Sequence, residues 1–402
     1  MFSKNKSASF GIVLGVVFCL YLWQGTTFKQ SNYEEKAQQC AQGYEDISLK
    51  IDCWMSVIEE VYTKESASAA FEQFGFTHGT YPAFANTGCH RHAHRLGDYA
   101  YYVDFMTHND ITKIYFPPES TICGYGFYHG FVEHLIQNNP TIEFANYSCQ
   151  YLVKTHKNTI PGIESVCYHG AGHGFLIAQA DVILDPDNAT INDFTLGPLA
   201  KCESLQVNDV LRSQCREGVF NVYIDWVMEQ NFNLSLNYDD PYSICSPIQN
   251  EESYGDCSIE VTRKVAGIVE HNLEDALNII KSNTRSDLHS RMFKIAVASL
   301  IQNDPNTLPD ELVYSCRTFP SPFDEVCLRA IVSGLFAHGQ PGVEYQLAEQ
   351  LCSDVNLIDA EKNICYEQIV TRVQYAYDSS KIESLCLKKE LSNRTCALVI
   401  EN

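Results

Sequence analysis

CGYGFYHG at residues 123–130 and CYHGAGHG at residues 167–174 both read Cys-x-x-Gly-x-x-His-Gly, and CREGVFN at residues 215–221 repeats the pattern with asparagine in place of histidine. These three cysteines are 44 and 48 residues apart, within the range of helical repeats. CLRAIVSG at residues 327–334 is a further copy with alanine at the glycine position. Each copy opens an apolar segment of helical character. Glycine inside a helix costs about 1 kcal/mol relative to alanine, so a Gly or Ala recurring three residues after Cys predicts close backbone approach between neighbouring helices.

Outward from these motifs the cysteines fall into couples. Cys40 goes with Cys53, Cys89 with Cys123, Cys149 with Cys167, and Cys202 with Cys215. Further on, Cys245 goes with Cys257, Cys316 with Cys327, Cys352 with Cys365, and Cys386 with Cys396. Apolar stretches such as DELVYSC (310–316) and YQLAEQLC (345–352) precede the first member of a couple. The reading is helix, short connection, helix, with a bridge clamping the connection. Zinc ribbons need Cys-x-x-Cys pairs, and the chain has none. The expected fold is therefore all-α, an array of disulfide-stapled helical hairpin repeats in an α-solenoid or compact helical bundle. Residues 181–199 read as a loop insertion and 305–309 as a second break.

The seventeenth cysteine, Cys19, lies in an uncharged apolar run from Ala8 to Trp23 that follows Lys4 and Lys6. A basic start followed by an apolar run is the form of an export signal. The residues after it lack a small-x-small cleavage pattern, so a retained signal-anchor is expected, a transmembrane segment with its N-terminus cytoplasmic. The bulk of the chain is then in a periplasm, secretory lumen or extracellular space, where an even set of cysteines forms disulfides. The expected divisions are 1–30 for the cytoplasmic tip and anchor, 31–244 for a histidine-rich repeat region and 245–402 for a histidine-poor one. A net charge of −22 with 28 basic residues argues against nucleic acid as a partner and leaves the membrane to be met through the anchor.

Nine of the 13 histidines lie between residues 90 and 173, where even spreading would put about three. His90 and His94, His129 and Glu133, and His169 and His173 are each four residues apart, so each pair shares one helix face. Paired donors one turn apart are how a helix offers two ligands to one ion. If the repeat helices pack side by side, five imidazoles and one carboxylate surround one locus. His92 and His134 fall off these stripes and are expected as additional ligands or as groups supporting them. Glu217 and Asn221, with Asp225, continue the stripe on the next helix. His78, His108, His271, His289 and His338 read as packed core histidines, and His156 as solvated loop.

Imidazole with few carboxylates suits a transition metal such as Fe, Cu or Zn. His-Glu-x-x-His, Cys-x-x-Cys-His, Walker A and Gly-x-Ser-x-Gly signatures are missing, so no catalytic residue can be named. The expected function is a membrane-anchored extracytoplasmic metalloprotein, with an oxidoreductase favoured over a zinc hydrolase because aromatics crowd the motifs. The alternatives are a helical-repeat scaffold that binds a protein partner on its surface, with a structural histidine cluster, and a metal storage or delivery protein.

Overall fold

Seven of the eight cysteine couples bridge a helix to the element that precedes it, and this local clamp recurs along the chain. The computed structural model describes residues 32–157, 160, 162–269, 272–303, 309–337, 343–377 and 379–401, and among them regular structure is helical throughout. The expected anchor, with Cys19, lies outside the described residues. Among the described residues no helix is long and apolar enough to cross a membrane.

The chain divides into two compact units, Met1–Phe84 and Ala85–Asn402. The first holds α1 (32–43), α2 (Ile47–Lys64) and α3 (Ala67–Thr80), followed by the single turn α4 (Pro82–Ala85). Asp46 and Ser66 cap α2 and α3 by accepting from first-turn amides, donors that a helix start otherwise leaves unsatisfied. Cys40 bonded to Cys53 ties α1 to α2. Trp54 fills the core: its indole donates to the Ala37 carbonyl at 2.8 Å, and its ring stacks on Tyr81 at 5.1 Å.

The second unit contains α5 (Cys89–Ala100), α6 (Met106–His108), α7 (Ile122–Gln137), α8 (Ile142–His156), α9 (Ile163–Ala180), α10 (Ile191–Glu203) and α11 (Asp209–Met228). It continues with α12 (Glu251–Ile268), α13 (Leu273–Ser282), α14 (His289–Asn303), α15 (Pro309–Cys316) and α16 (Phe323–Ala337). It ends with α17 (Tyr345–Cys352), α18 (Asp359–Ala376), α19 (Ser379–Leu387) and α20 (Asn393–Glu401). One row of helices packs in sequence, α5 on α7, α9, α11, α12, α14, α16 and α18, while α8, α10, α13, α15 and α17 lie against it. The packing runs without a break from α11 to α12, across residue 244. At its end the row returns towards its start: the Tyr125 hydroxyl at the opening of α7 donates to the Tyr375 carbonyl at the end of α18, at 3.3 Å.

All eight disulfides join the couples expected from spacing, with Cα–Cα separations between 5.3 and 5.9 Å. Cys89 bonded to Cys123 ties α5 to α7, Cys149 bonded to Cys167 ties α8 to α9, and Cys202 bonded to Cys215 ties α10 to α11. Cys245, in the turn before α12, is bonded to Cys257 within that helix. Cys316 bonded to Cys327 joins α15 to α16, Cys352 bonded to Cys365 joins α17 to α18, and Cys386 bonded to Cys396 joins α19 to α20. Closing loops of this length removes on the order of 3 kcal/mol of unfolded-state entropy per bridge. Of the recurring glycines, Gly126 and Gly218 mark backbone contact, as expected, whereas a Cβ on Gly170 would meet the Val132 side chain at 3.0 Å. A Cβ on Gly126 would stand 2.3 Å from the His90 carbonyl oxygen, on Gly130 2.1 Å from that of His94, and on Gly218 2.0 Å from that of His169.

Three expectations are corrected. The loop insertion ends at residue 190, because Thr190 and Asp193 form a reciprocal capping box and Ile191, Phe194 and Leu199 are buried on α10; Gly197 and Pro198 disguise that helix. His108 is exposed at the end of α6. His156 sits in the last turn of α8, half-buried, its ring 5.5 Å from Phe116. His78 is buried, and His289 hydrogen-bonds the Asn283 carbonyl at 2.9 Å. His271, His338 and residues 304–308 of the second break lie outside the described residues.

Two measurements test this packing. A Cβ on Gly172 of α9 would stand 2.0 Å from the Cys215 carbonyl oxygen, whereas one on Gly75 of α3 meets nothing within 4 Å. Gly172→Ala is expected to destabilise by roughly 3 kcal/mol through overpacking and Gly75→Ala to stabilise by about 1 kcal/mol, read as amide exchange in α9 and α3. Burial lowers the His78 pKa to about 4, so the folded chain resists a proton that the unfolded chain takes up near 6.5. The resulting stability is complete above pH 6.5 and is lost as pH falls towards 4. Between pH 7 and pH 5 the protection of α3 should drop by ~2 kcal/mol, and His78→Phe should flatten that dependence.

Candidate metal centre

The three donor pairs meet. Backbone contact at Gly126 and Gly130 presses α5 onto α7, and Gly174, whose Cβ would stand 2.5 Å from the Glu133 carbonyl oxygen, does the same for α7 and α9. Helices this close bring side chains from three elements into one layer. Ring centroids lie 4.9 Å apart for His90 and His129, 4.9 Å for His129 and His169, and 4.9 Å for His169 and His173. His94 stacks 6.1 Å from His173. His90 and His94 sit one residue out of phase with the other pairs when counted from their cysteine, yet both join the group.

Glu133 is the hub. Its Oε2 lies 3.0 Å from His173 Nδ1 and 3.3 Å from His94 Nε2. Donor atoms of His94, Glu133 and His173 all lie within 4.8 Å of one another, and so do those of Asp98, Glu133 and His134. Asp98, which the sequence reading overlooked, stands 3.4 Å from His94 Nδ1 and 3.5 Å from His134 Nε2. It is four residues after His94, so the spacing rule that found the other pairs also covers it. His134 thus reaches the centre through Asp98.

Protonation divides the cluster in two. Burial works against charge on His94, but Asp98 and Glu133 outweigh it and raise its pKa to about 10. Burial likewise opposes charge on Glu133, but hydrogen bonds from His173 and His94 hold the carboxyl well below its usual range. His129 and His169 go the other way: burial first, then the neighbouring imidazoles, push both well below the ordinary histidine value. These two rings are neutral at physiological pH and each keeps a lone pair.

Hydrogen bonds orient the rings. The Cys123 carbonyl only accepts, so His90 Nδ1–H donates to it at 2.9 Å. His90 Nε2 and His129 Nδ1 share a hydrogen bond at 3.1 Å. His169 bonds the Gln214 backbone. His173 donates from Nδ1 to Glu133, and its Nε2, on a side chain only 4% exposed, has no hydrogen-bond partner among the described residues. One ring nitrogen anchored on a carbonyl or carboxylate, with the other left bare, is how histidines are held when they ligate a metal. His169 and His173 form the buried floor, while solvent reaches His90, His94 and His129.

The remaining expected residues point elsewhere. His92 Nε2 bonds the Thr87 hydroxyl at 3.0 Å. Glu217 pairs with Arg291, Asn221 donates to Glu260 at 2.8 Å, and Asp225 pairs with Lys264. The polar stripe of α11 is therefore part of an ion-pair network with α12 and α14. Beside the centre, Cys123, Gly124 and Tyr125 all adopt positive φ (55°, 63° and 64°) before α7 begins its regular turns. For Cys and Tyr this left-handed conformation is strained, and it aims the Cys123 carbonyl at His90.

Comparison of the chain with protein-family models, curated proteins and solved structures gives no match, so the centre is interpreted from its own chemistry.

In metal-free protein, histidine NMR should show His94 protonated up to at least pH 9, with His129 and His169 neutral from pH 6 upward. Glu133→Gln removes one of the two carboxylates that charge His94 and should lower its pKa by at least one unit. An unmoved His94 titration would contradict the assigned network.

Proposed function

We propose that the chain is an extracytoplasmic metalloprotein that binds a transition metal at His94, Glu133 and His173, with His129 and His169 as the adjoining imidazoles. The observation that carries this reading is the bare Nε2 of buried His173 beside two neutral imidazoles. Leaving that buried ring nitrogen without a partner costs about 1–3 kcal/mol, and a metal ion would compensate that cost. His90 and Asp98 act behind the donors, holding His129 and His94 in orientation.

The chemistry of the donors favours Zn, Cu or Fe over Mg or Ca, because imidazoles outnumber carboxylates. Solvent access at His90, His94 and His129 supports a centre with an open coordination position, as catalysis requires. When bound, the ion supplies either an activated water or a redox change. The chain's own residues bind it, with His94 releasing on metal binding the proton that Asp98 and Glu133 favour in the metal-free protein, and exclude water at the His169/His173 floor. Eight disulfides are compatible with an oxidising compartment, and the basic-apolar start at residues 4–23 supports tethering of this domain to a membrane.

Metal analysis tests this. Protein purified from an oxidising host should carry close to one equivalent of Zn, Cu or Fe per centre. Glu133→Gln and His173→Ala should each lower metal affinity by at least tenfold, with helical circular dichroism unchanged. Metal-free protein that takes up no added Zn, Cu or Fe would overturn the proposal. Copper or iron supports the redox form of the reading, and zinc supports the hydrolytic one.

A further inference from the structure

Glu133 belongs to two donor groups. Besides His94 and His173, it converges with Asp98 of α5 and His134 of α7, one donor atom from each of Asp98, Glu133 and His134 lying within 4.8 Å of the other two. His134 is held as a ligand histidine is held. Its Nδ1 lies 3.2 Å from Gln137 Oε1, and Gln137 Nε2 donates to the Asp181 carboxylate at 3.2 Å. The amide oxygen and the carboxylate only accept, so His134 Nδ1 carries the hydrogen and donates. The Tyr101 ring stacks on the imidazole at 5.7 Å and fixes its plane. With one nitrogen anchored in this way, Nε2 is presented to Asp98.

The Asp98 oxygen that faces it is unfilled. Oδ1 is buried and has no hydrogen-bond partner among the described residues. His134 Nε2 stands 3.5 Å from it and His94 Nδ1 3.4 Å, both beyond the roughly 2.7–3.2 Å of an N–H···O hydrogen bond. Two donors bound to one tetrahedral ion at about 2.1 Å each stand roughly 3.4 Å apart. The separation is long for a hydrogen bond and right for two ligands of one ion. Gly130 leaves room for the carboxylate, since a Cβ there would stand 2.5 Å from Oδ1. The Asp98 and His134 side chains are 29% and 19% exposed, so water can reach the remaining coordination positions.

We propose that Asp98, Glu133 and His134 bind a second transition-metal ion, with the Glu133 carboxylate bridging it to the first. The bridge rests on the proposed function; binding at Asp98 and His134 does not. Two carboxylates and one imidazole make this the harder donor set, which favours Zn, Mn or Fe over Cu. It is also more exposed than the His169/His173 floor, so it fills after the first centre and on addition of metal. A shared carboxylate places both ions where they act on one bound water or oxyanion.

Titration of zinc into chelator-treated full-length protein, with bound metal counted after desalting, tests this. Two equivalents are expected in the unmutated protein and one in His134→Phe, whose ring keeps the stacking on Tyr101. Gln137→Met removes the anchor of His134 without touching a donor, and should weaken the second ion about tenfold or more while leaving the first unchanged. Glu133→Gln should weaken both. A single equivalent that depends on His173 and not on His134 would overturn this proposal and leave the first centre standing. So would a second equivalent unmoved in both His134→Phe and Gln137→Met. Uptake that depends on His134 and not on His173 would sustain the ion at Asp98 and His134 and overturn the first centre. Uptake of no ion would overturn both.

Discussion

Backbone-to-backbone contact between α5, α7, α9 and α11 is the constraint on which the centre depends. Helices separated by ordinary side chains pack 8–10 Å apart. Here glycine on one helix meets a carbonyl on the next, and a single added Cβ would come within 2.0–2.5 Å of a backbone oxygen at Gly126, Gly130, Gly172, Gly174 and Gly218. Only at this spacing do imidazoles on three helices come within one ring's width of each other. The same glycines weaken each helix by about 1 kcal/mol. Disulfides offset part of that cost, as Cys167 does by tying α9 to α8 through Cys149.

Charge is then distributed by burial and partner. Glu133 and Asp98 favour charge on His94, while burial first, then neighbouring charges, keeps His129 and His169 neutral beside it. With His129 and His169 neutral, the layer differs from a fully charged cluster, which would repel a metal cation. The next helix along, α11, carries Glu217 and Asn221 in the expected phase, but α12 and α14 present arginines to that stripe and it becomes an ion-pair network. Burial pushes the Glu217 carboxyl up against the pull of Arg291.

Much of the fold was legible because its signals are local. Cysteines 10 to 18 residues apart, flanked by helical patterns, leave few partners within reach. Four-residue spacing places two side chains on one face in any helix. Less was legible where tertiary contacts overrule a local cue. Gly197 and Pro198 suggested a loop, but Thr190 and Asp193 cap the helix that contains them. His156 was placed in solvent by its polar neighbours, while Phe116, forty residues earlier, covers its ring. His92 lies between two site histidines in sequence, but the helix turns it towards Thr87.

The amino-acid sequence by itself determined the helical repeat, the cysteine couples and the four-residue spacing of the three His and Glu pairs, because each follows from spacing along the chain. Tertiary structure decided that these side chains face one another, that Asp98 joins them and that Glu217 and Asn221 do not. Those outcomes depend on which helix lies against which and at what distance, and contacts between residues 40 to 250 positions apart leave no periodic trace in the chain.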